Sequence, residues 1–199
     1  MKKIGIFGGT FDPIHNGHIY KAEEALAKLN LDELIWVVAG NPWMKSREPL
    51  SAAKHRLEMV NIAIQGKAKM KLTDIEVNRK GPTYTIDTLK DLTNRNPGDE
   101  LVLLVGSDLI QEFDQWKYPD EILSLSKLAV FTRKTTVKDT WKMTDFYKTK
   151  GHKLEVLCGP IIDISSTAIR DRVISKASIS EYVPKAIEKY IIENKLYLG

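Results

Sequence analysis

Two histidines three residues apart, His15 and His18, close a segment that runs Gly8-Gly9-Thr10-Phe11-Asp12-Pro13-Ile14 before them. Glycines let backbone N–H groups come close to an anion, and a helix N-terminus adds partial positive charge. The apolar run Ile4-Gly5-Ile6-Phe7 precedes this segment, and Ile19, Ala22, Ala25, Leu26 and Leu29 follow it at helical spacing. The reading is therefore strand, glycine-rich loop, helix. Residues three apart share a face, so both imidazoles can point to one side of the first helical turn. The chemistry this predicts is phosphate handling, with two imidazoles aimed at the phosphate. The loop is not a P-loop, since no Gly-Lys-Ser/Thr closes it, and Gly5, Gly8 and Gly9 do not fit G-x-G-x-x-G. Asp12, His15 and His18 are ligand types that suit zinc, but no further Cys or His cluster supports them, and no protein-held metal is expected. The plainest alternative is a tight strand-to-helix turn with a capping histidine.

A second constellation is Ile164-Ser165-Ser166-Thr167-Ala168-Ile169-Arg170. Consecutive hydroxyls at a helix start expose side-chain and backbone donors, and Arg170 lies four residues after Ser166 on the same face. Hydroxyls plus a guanidinium suit terminal phosphates. An ordinary capped helix with a surface arginine explains the same residues.

Elements must place these two groups together. Leu34–Ala39 reads as a second buried strand, and residues 51–65 as a helix capped by Ser51, with Leu57, Val60, Ile62 and Ile64 available to its buried side. Met70–Ile75 suggests a third strand, and Thr83–Thr93 a helix with Ile86, Leu89 and Leu92 on one face. Leu101–Val105 is the clearest buried strand, followed by Leu128–Phe131 and Leu154–Leu157. Ser166 can cap a helix running to about Ser175, and Pro184 suits the first position of a last helix. Strands alternating with helices predict a Rossmann-like, doubly wound α/β fold: a parallel sheet with helices on both faces, and ligands beyond the C-terminal strand ends. The loops at Gly8, Gly40-Asn41-Pro42, Gly106-Ser107-Asp108 and Thr132-Arg133 should converge on one sheet edge. Residues 1–199 read as one domain, with a helical C-terminal part from about 166 to 199.

Bulk properties narrow the class. With 199 residues and 43% hydrophobic content, one substantial core is expected. No stretch approaches 18 consecutive apolar residues, so no membrane association is expected. Met1-Lys2-Lys3 runs straight into a strand, and the single cysteine, Cys158, gives no disulfide framework and reads as a buried strand residue. A soluble cytoplasmic protein is the expectation. The net charge of +4 fits anionic ligands. Basic residues are mostly interleaved with acids, except over Arg133–Lys153, where Trp141, Phe146 and Tyr147 give a superficial likeness to a nucleic-acid surface. A polar connection explains that stretch equally well, and no nucleic-acid partner is expected.

Gly-Gly-Thr-Phe-Asp-Pro-Ile-His-x-Gly-His resembles the His-x-Gly-His motif of the nucleotidyltransferase superfamily, and Ile-Ser-Ser-Thr-x-Ile-Arg resembles that superfamily's partner motif. Gly81-Pro82-Thr83-Tyr84-Thr85-Ile86-Asp87-Thr88-Leu89 resembles the Tyr-Thr-x-Asp-Thr-Leu segment of bacterial nicotinate-nucleotide adenylyltransferases. Leu104-Val105-Gly106-Ser107-Asp108, then Trp116, follow the same family's pattern. The likeness reaches from the first strand through Tyr182-Val183-Pro184 to Leu196-Tyr197, nearly the whole chain.

The resemblance implies transfer of AMP from ATP to nicotinate mononucleotide, giving nicotinate adenine dinucleotide and pyrophosphate in NAD biosynthesis, by in-line displacement without a covalent enzyme intermediate. His15, His18, Lys45 and Arg170 are then the catalytic candidates. Gly8, Gly9, Thr10, Phe11, His15, His18, Gly106, Asp108, Ser165, Ser166, Thr167 and Arg170 would bind ATP. Lys45, Tyr84, Thr85, Trp116 and Arg133 would bind the mononucleotide, with Thr85 donating to the nicotinate carboxylate and Trp116 facing the pyridine ring. Mg²⁺ would travel with the ATP phosphates. Two departures stand out: Met44 replaces the histidine of the family's Pro-Pro-His-Lys, leaving Lys45, and Arg133-Lys134-Thr135 keeps only the arginine of Arg-Pro-Gly. The rivals are phosphopantetheine adenylyltransferase, against which His15, Tyr84 and Thr85 speak, a nicotinamide-preferring adenylyltransferase, and an idle nucleotide- or nucleic-acid-binding module. The sequence leaves a homo-oligomer open.

Overall fold

In the computed structural model, the residues described are 1–42, 50–110, 112–132, 154–158 and 164–198. Six strands form one all-parallel sheet in the order β3-β2-β1-β4-β5-β6: β1 (Lys3–Gly9), β2 (Glu33–Val38), β3 (Met70–Thr73), β4 (Glu100–Gly106), β5 (Lys127–Thr132) and β6 (Leu154–Cys158). Crossover helices are α1 (Asn16–Lys28), α2 (Ala53–Ile64), α3 (Thr85–Arg95), the single turn α4 (Ser107–Ile110) and α5 (Pro119–Leu125); α6 (Ser166–Ile174) and α7 (Lys185–Glu193) follow β6.

The central strands β2, β1, β4 and β5 are largely buried on both faces and read as apolar runs, whereas the edge strands β3 and β6 carry the exposed Lys71 and Glu155. Alternate residues sort to opposite sides. Leu34, Trp36 and Val38 of β2, Val102 and Leu104 of β4, and Ala129 and Phe131 of β5 join one core with Ala22 and Ala25 of α1, Met59 and Val60 of α2, Ile169 of α6, and Ile187 and Ile191 of α7. Ile4, Ile6, Ile35, Val37, Leu101, Leu103 and Val105 join the other with Ile86, Leu89 and Leu92 of α3 and Ile122 and Leu123 of α5. The doubly wound α/β expectation holds. Among the described residues no helix is long and apolar enough to cross a membrane.

Local differences from the sequence reading have local causes. Ser51 does not cap α2; Ala52 occupies that position without a side-chain cap. The Ser51 N–H is drawn instead to Asp12 Oδ2 (3.0 Å), and its carbonyl accepts from Arg56 Nε (2.9 Å). The buried side of α2 is led by Arg56, Met59, Val60, Ala63 and Ile64, with Leu57 and Ile62 only half-buried. The third strand stops at Thr73 because the chain then turns, Asn78 N–H reaching Asp74 O (3.0 Å). Helix α3 begins at Thr85, not Thr83, because Thr83 bridges to Pro42 and gives its N–H to Asn41 O (2.9 Å). Ser165, not Ser166, caps α6, its Oγ accepting the Ala168 N–H (3.1 Å). Pro184 stands just outside α7 as its cap residue.

Candidate active site

Order 3-2-1-4-5-6 places the reversal of winding between β1 and β4, and a ligand crevice belongs beyond their C-terminal ends. Phe7 registers with Leu104, and Gly9 with Val38. The loops after β1 and β4 therefore leave the same edge side by side, with Gly106 ending β4 and Asp108 lying in α4 immediately after it.

Space at the end of β1 is unequal. A Cβ on Gly9 would stand 2.9 Å from the ring of Phe11, whereas one on Gly8 would meet nothing within 4 Å. Gly9 is needed for the protein's own packing, and Gly8 faces open space. Phe11 is fully buried with φ of 49°, an unfavourable left-handed conformation for a residue with a Cβ. It turns the chain sharply between the strand and α1.

His15 is the cap residue of α1 by backbone, its carbonyl accepting from the N–H groups of His18 (2.9 Å) and Ile19 (3.3 Å). Its side chain makes no capping hydrogen bond, so His15 fills the capping position of the plainer alternative by its backbone alone. The two imidazoles are stacked, centroids 3.7 Å apart at 26°. Phe11 meets His18 edge-on at 5.1 Å, and Phe7 and Trp36 close the aromatic floor beneath. The single-face expectation for the pair holds, and packing fixes the rings.

Donors from distant elements hold the loop between them by its carbonyls. Thr10 O accepts from Arg56 Nη1 (3.1 Å), Asp12 O from Arg170 Nη1 (2.8 Å), and Pro13 O from Ser166 Oγ (2.9 Å). Arg56, buried among these groups, also donates to Ala39 O (2.6 Å) and Gly40 O (3.3 Å), stitching the ends of β1 and β2 to α2. Burial pushes its pKa down, and Asp12 opposes that shift. The Asp12 carboxylate is itself buried; Oδ2 takes the Ser51 N–H and Oδ1 the Tyr197 hydroxyl (2.6 Å). Those contacts commit Asp12 to structure. Among the described residues no three His, Cys, Asp or Glu side chains are grouped to hold a metal ion.

The second motif thus meets the first. Arg170 bonds the loop carbonyl three residues before His15, and its Nη2 reaches Thr167 Oγ1 (3.3 Å). Ser166 and Arg170 lie on one face of α6, as their spacing predicts, and that face is turned to the loop.

A third group lies at the start of α3. Tyr84 is the cap residue of α3 and Thr85 its first residue. Lys117 Nζ stands 4.3 Å from the Tyr84 ring centroid and 3.6 Å from Asp87 Oδ2. Trp116 is 9% exposed, packs on Phe113 at 5.3 Å, and its buried Nε1 meets no hydrogen-bond acceptor among the described residues. The Tyr84–Thr85 turn and Trp116 are therefore neighbours across one apolar cluster. Lys45, with Met44, and Arg133, with the basic stretch to Lys153, lie outside the described residues.

Sequence reasoning missed Arg56, Tyr197 and Lys117 as contributors and weighed Asp12 only as a metal ligand. Arg56 carried one signal: a cation at a position where α2 should be apolar. Tyr197 carried only its place at the end of the family likeness, and Lys117 carried none.

The fold defines a Rossmann-like α/β protein of the doubly wound type, with two stacked imidazoles beside its switch point. Comparison with known proteins agrees. The cytidylyltransferase-like family model matches residues 6–172. The "Probable nicotinate-nucleotide adenylyltransferase" of Clostridium novyi (strain NT) is 39% identical over 199 residues, covering 99% of this chain and 100% of the relative. The "Nicotinate-nucleotide adenylyltransferase" of Bacillus subtilis (strain 168) is 38% identical over 197 residues, covering 99% of each. Among solved structures, Plasmodium falciparum nicotinic acid mononucleotide adenylyltransferase complexed with APC superposes with a TM-score of 0.78 at 25% identity, covering 99% of this chain and 98% of that one. The chain belongs to the cytidylyltransferase-like family and, within it, to the nicotinate-nucleotide adenylyltransferases.

Proposed function

We propose that this enzyme transfers AMP from MgATP to nicotinate mononucleotide in one in-line displacement. The acceptor's phosphate oxygen attacks the α-phosphorus, the bond to the β-phosphate oxygen breaks, and pyrophosphate leaves with its electron pair. The observation that carries the reading is the stacked His15–His18 pair at the β1/β4 switch point, with Arg170 anchored on the same loop.

Nucleotidyl transfer asks a protein chiefly for positioning and charge stabilisation. His18 stabilises charge developing at the α-phosphate and His15 holds neighbouring oxygens. Thr10 and Phe11 offer backbone N–H groups, and the open space at Gly8 admits the phosphate chain. Gly106 and Asp108, at the neighbouring strand end, contribute to the ATP side. Arg170, with Ser165, Ser166 and Thr167, takes the β- and γ-phosphates, the guanidinium keeping Nη1 on the Asp12 carbonyl and offering its remaining N–H donors to phosphate oxygens. The triphosphate would carry Mg²⁺, a hard ion that favours phosphate and water oxygens and would neutralise charge there.

On the acceptor side, the Asp87 and Thr88 N–H groups close on the Tyr84 carbonyl, and the N–H groups before them, at Thr85 and Ile86, suit the nicotinate carboxylate. Tyr84 and Trp116 supply aromatic surface for the pyridine ring. Lys45 and Arg133 neutralise the acceptor phosphate.

Stereochemistry tests the displacement. With ATP chirally thiolated at the α-phosphorus and nicotinate mononucleotide as acceptor, the dinucleotide product should show inversion at phosphorus. Retention would require an enzyme-bound intermediate and overturn the single-step reading.

A further inference from the structure

The segment after α7 reaches back across the molecule to the phosphate loop. Lys195 (φ 52°) and Tyr197 (φ 63°) both adopt the left-handed conformation, disfavoured for residues with a Cβ and retained where surrounding contacts fix it. The Leu196 N–H closes the turn on Ile191 O (3.0 Å). The turn lays the Tyr197 ring against the apolar core and its hydroxyl 2.6 Å from Asp12 Oδ1. Asp12 is the joint of the loop. Its other carboxylate oxygen holds Ser51 N–H, and its carbonyl holds Arg170, which also reaches Thr167. Burial and the carboxylate together raise the Tyr197 pKa, so the phenol is a neutral donor at working pH.

We propose that Tyr197 is a positioning residue for the triphosphate: its hydroxyl fixes Asp12, and through the Asp12 carbonyl it sets Arg170 and the turn leading to His15. The proposal rests on the adenylyl-transfer reading above. The ring packs and the hydroxyl positions, so the two can be separated by removing one atom.

The test compares the full-length wild type with Tyr197→Phe, by calorimetric titration with MgATP alone and by steady-state kinetics varying each substrate. Losing a hydrogen bond to a charged group predicts a rise of about tenfold in the Kd and KM for MgATP. The KM for the mononucleotide should stay within about twofold, a small fraction of one such bond. A hydroxyl with a merely structural role would lower the melting temperature and the competent fraction while leaving both constants unchanged, and that result overturns the proposal. Should the wild type itself not bind MgATP, the adenylyl-transfer reading falls and takes this inference with it. If Tyr197→Phe does not fold, Asp12→Asn, which keeps the shape and weakens the acceptor, must show the same shift in MgATP affinity; an unchanged affinity again overturns the proposal.

Discussion

His15 and His18 show how spacing alone can place two imidazoles together before any fold is known. Their three-residue separation puts both rings on one face, and Phe7, Phe11 and Trp36 lock that face in place. A ring held so firmly loses little freedom when it meets a phosphate, which is what transition-state stabilisation requires. His18→Ala should therefore reduce turnover by roughly 10²–10³, the scale of one lost transition-state donor, with the fold intact. Steady-state kinetics beside a thermal melt checks this; activity within a few-fold of wild type would remove His18 from its role. The roles the sequence hid are those of residues that work on other residues. Arg56 and Tyr197 act on carbonyls and carboxylates brought near by the fold, and no linear spacing encodes contacts across 46 or 185 positions.

Elements were more legible than their ends. Each buried strand stood out as an apolar run because helices cover both faces, and α3 displayed its periodicity at Ile86, Leu89 and Leu92. Boundaries failed where a tertiary partner outbid the local signal. Ser51 gave up its capping role to Asp12 and Arg56, and Thr83 was held out of α3 by Asn41. Close backbone crossings were equally invisible. A Cβ on Gly40 would lie 2.1 Å from the carbonyl oxygen of Glu76, so the turn after β2 and the segment before α3 pass in direct contact. Gly40→Ala should cost about 2 kcal/mol, typical of overpacking a rigid site, read as a shift of denaturant midpoint at constant slope. A midpoint equal to wild type would mean the two segments separate freely. Gly8→Ala is the matched control, since nothing in the protein stands near that Cβ.

Across the whole molecule, the sheet order puts the switch point between β1 and β4, and the segment after α7 closes onto the loop beside it. This closure has a consequence in alkali. Folding raises the Tyr197 pKa above its ordinary value of 10.0, chiefly by burial, so the unfolded chain releases that proton first as pH climbs. Its contribution to stability is complete below pH 10 and declines as pH rises beyond it. Tyr197→Phe should accordingly show a shallower loss of stability between about pH 10 and 11 than the wild type in parallel denaturant titrations. Identical slopes would show that the phenol is not buried in solution. The proposed reaction is adenylyl transfer to an acidic pyridine mononucleotide at the β1/β4 edge. Pyrophosphate release with MgATP, compared across nicotinate mononucleotide, nicotinamide mononucleotide and phosphopantetheine, tests it most directly. Nicotinate mononucleotide should be preferred over the amide by on the order of tenfold or more, the worth of a charge-assisted hydrogen bond, with phosphopantetheine inactive. Equal or greater activity with either alternative acceptor, or no pyrophosphate with any of the three, would contradict it.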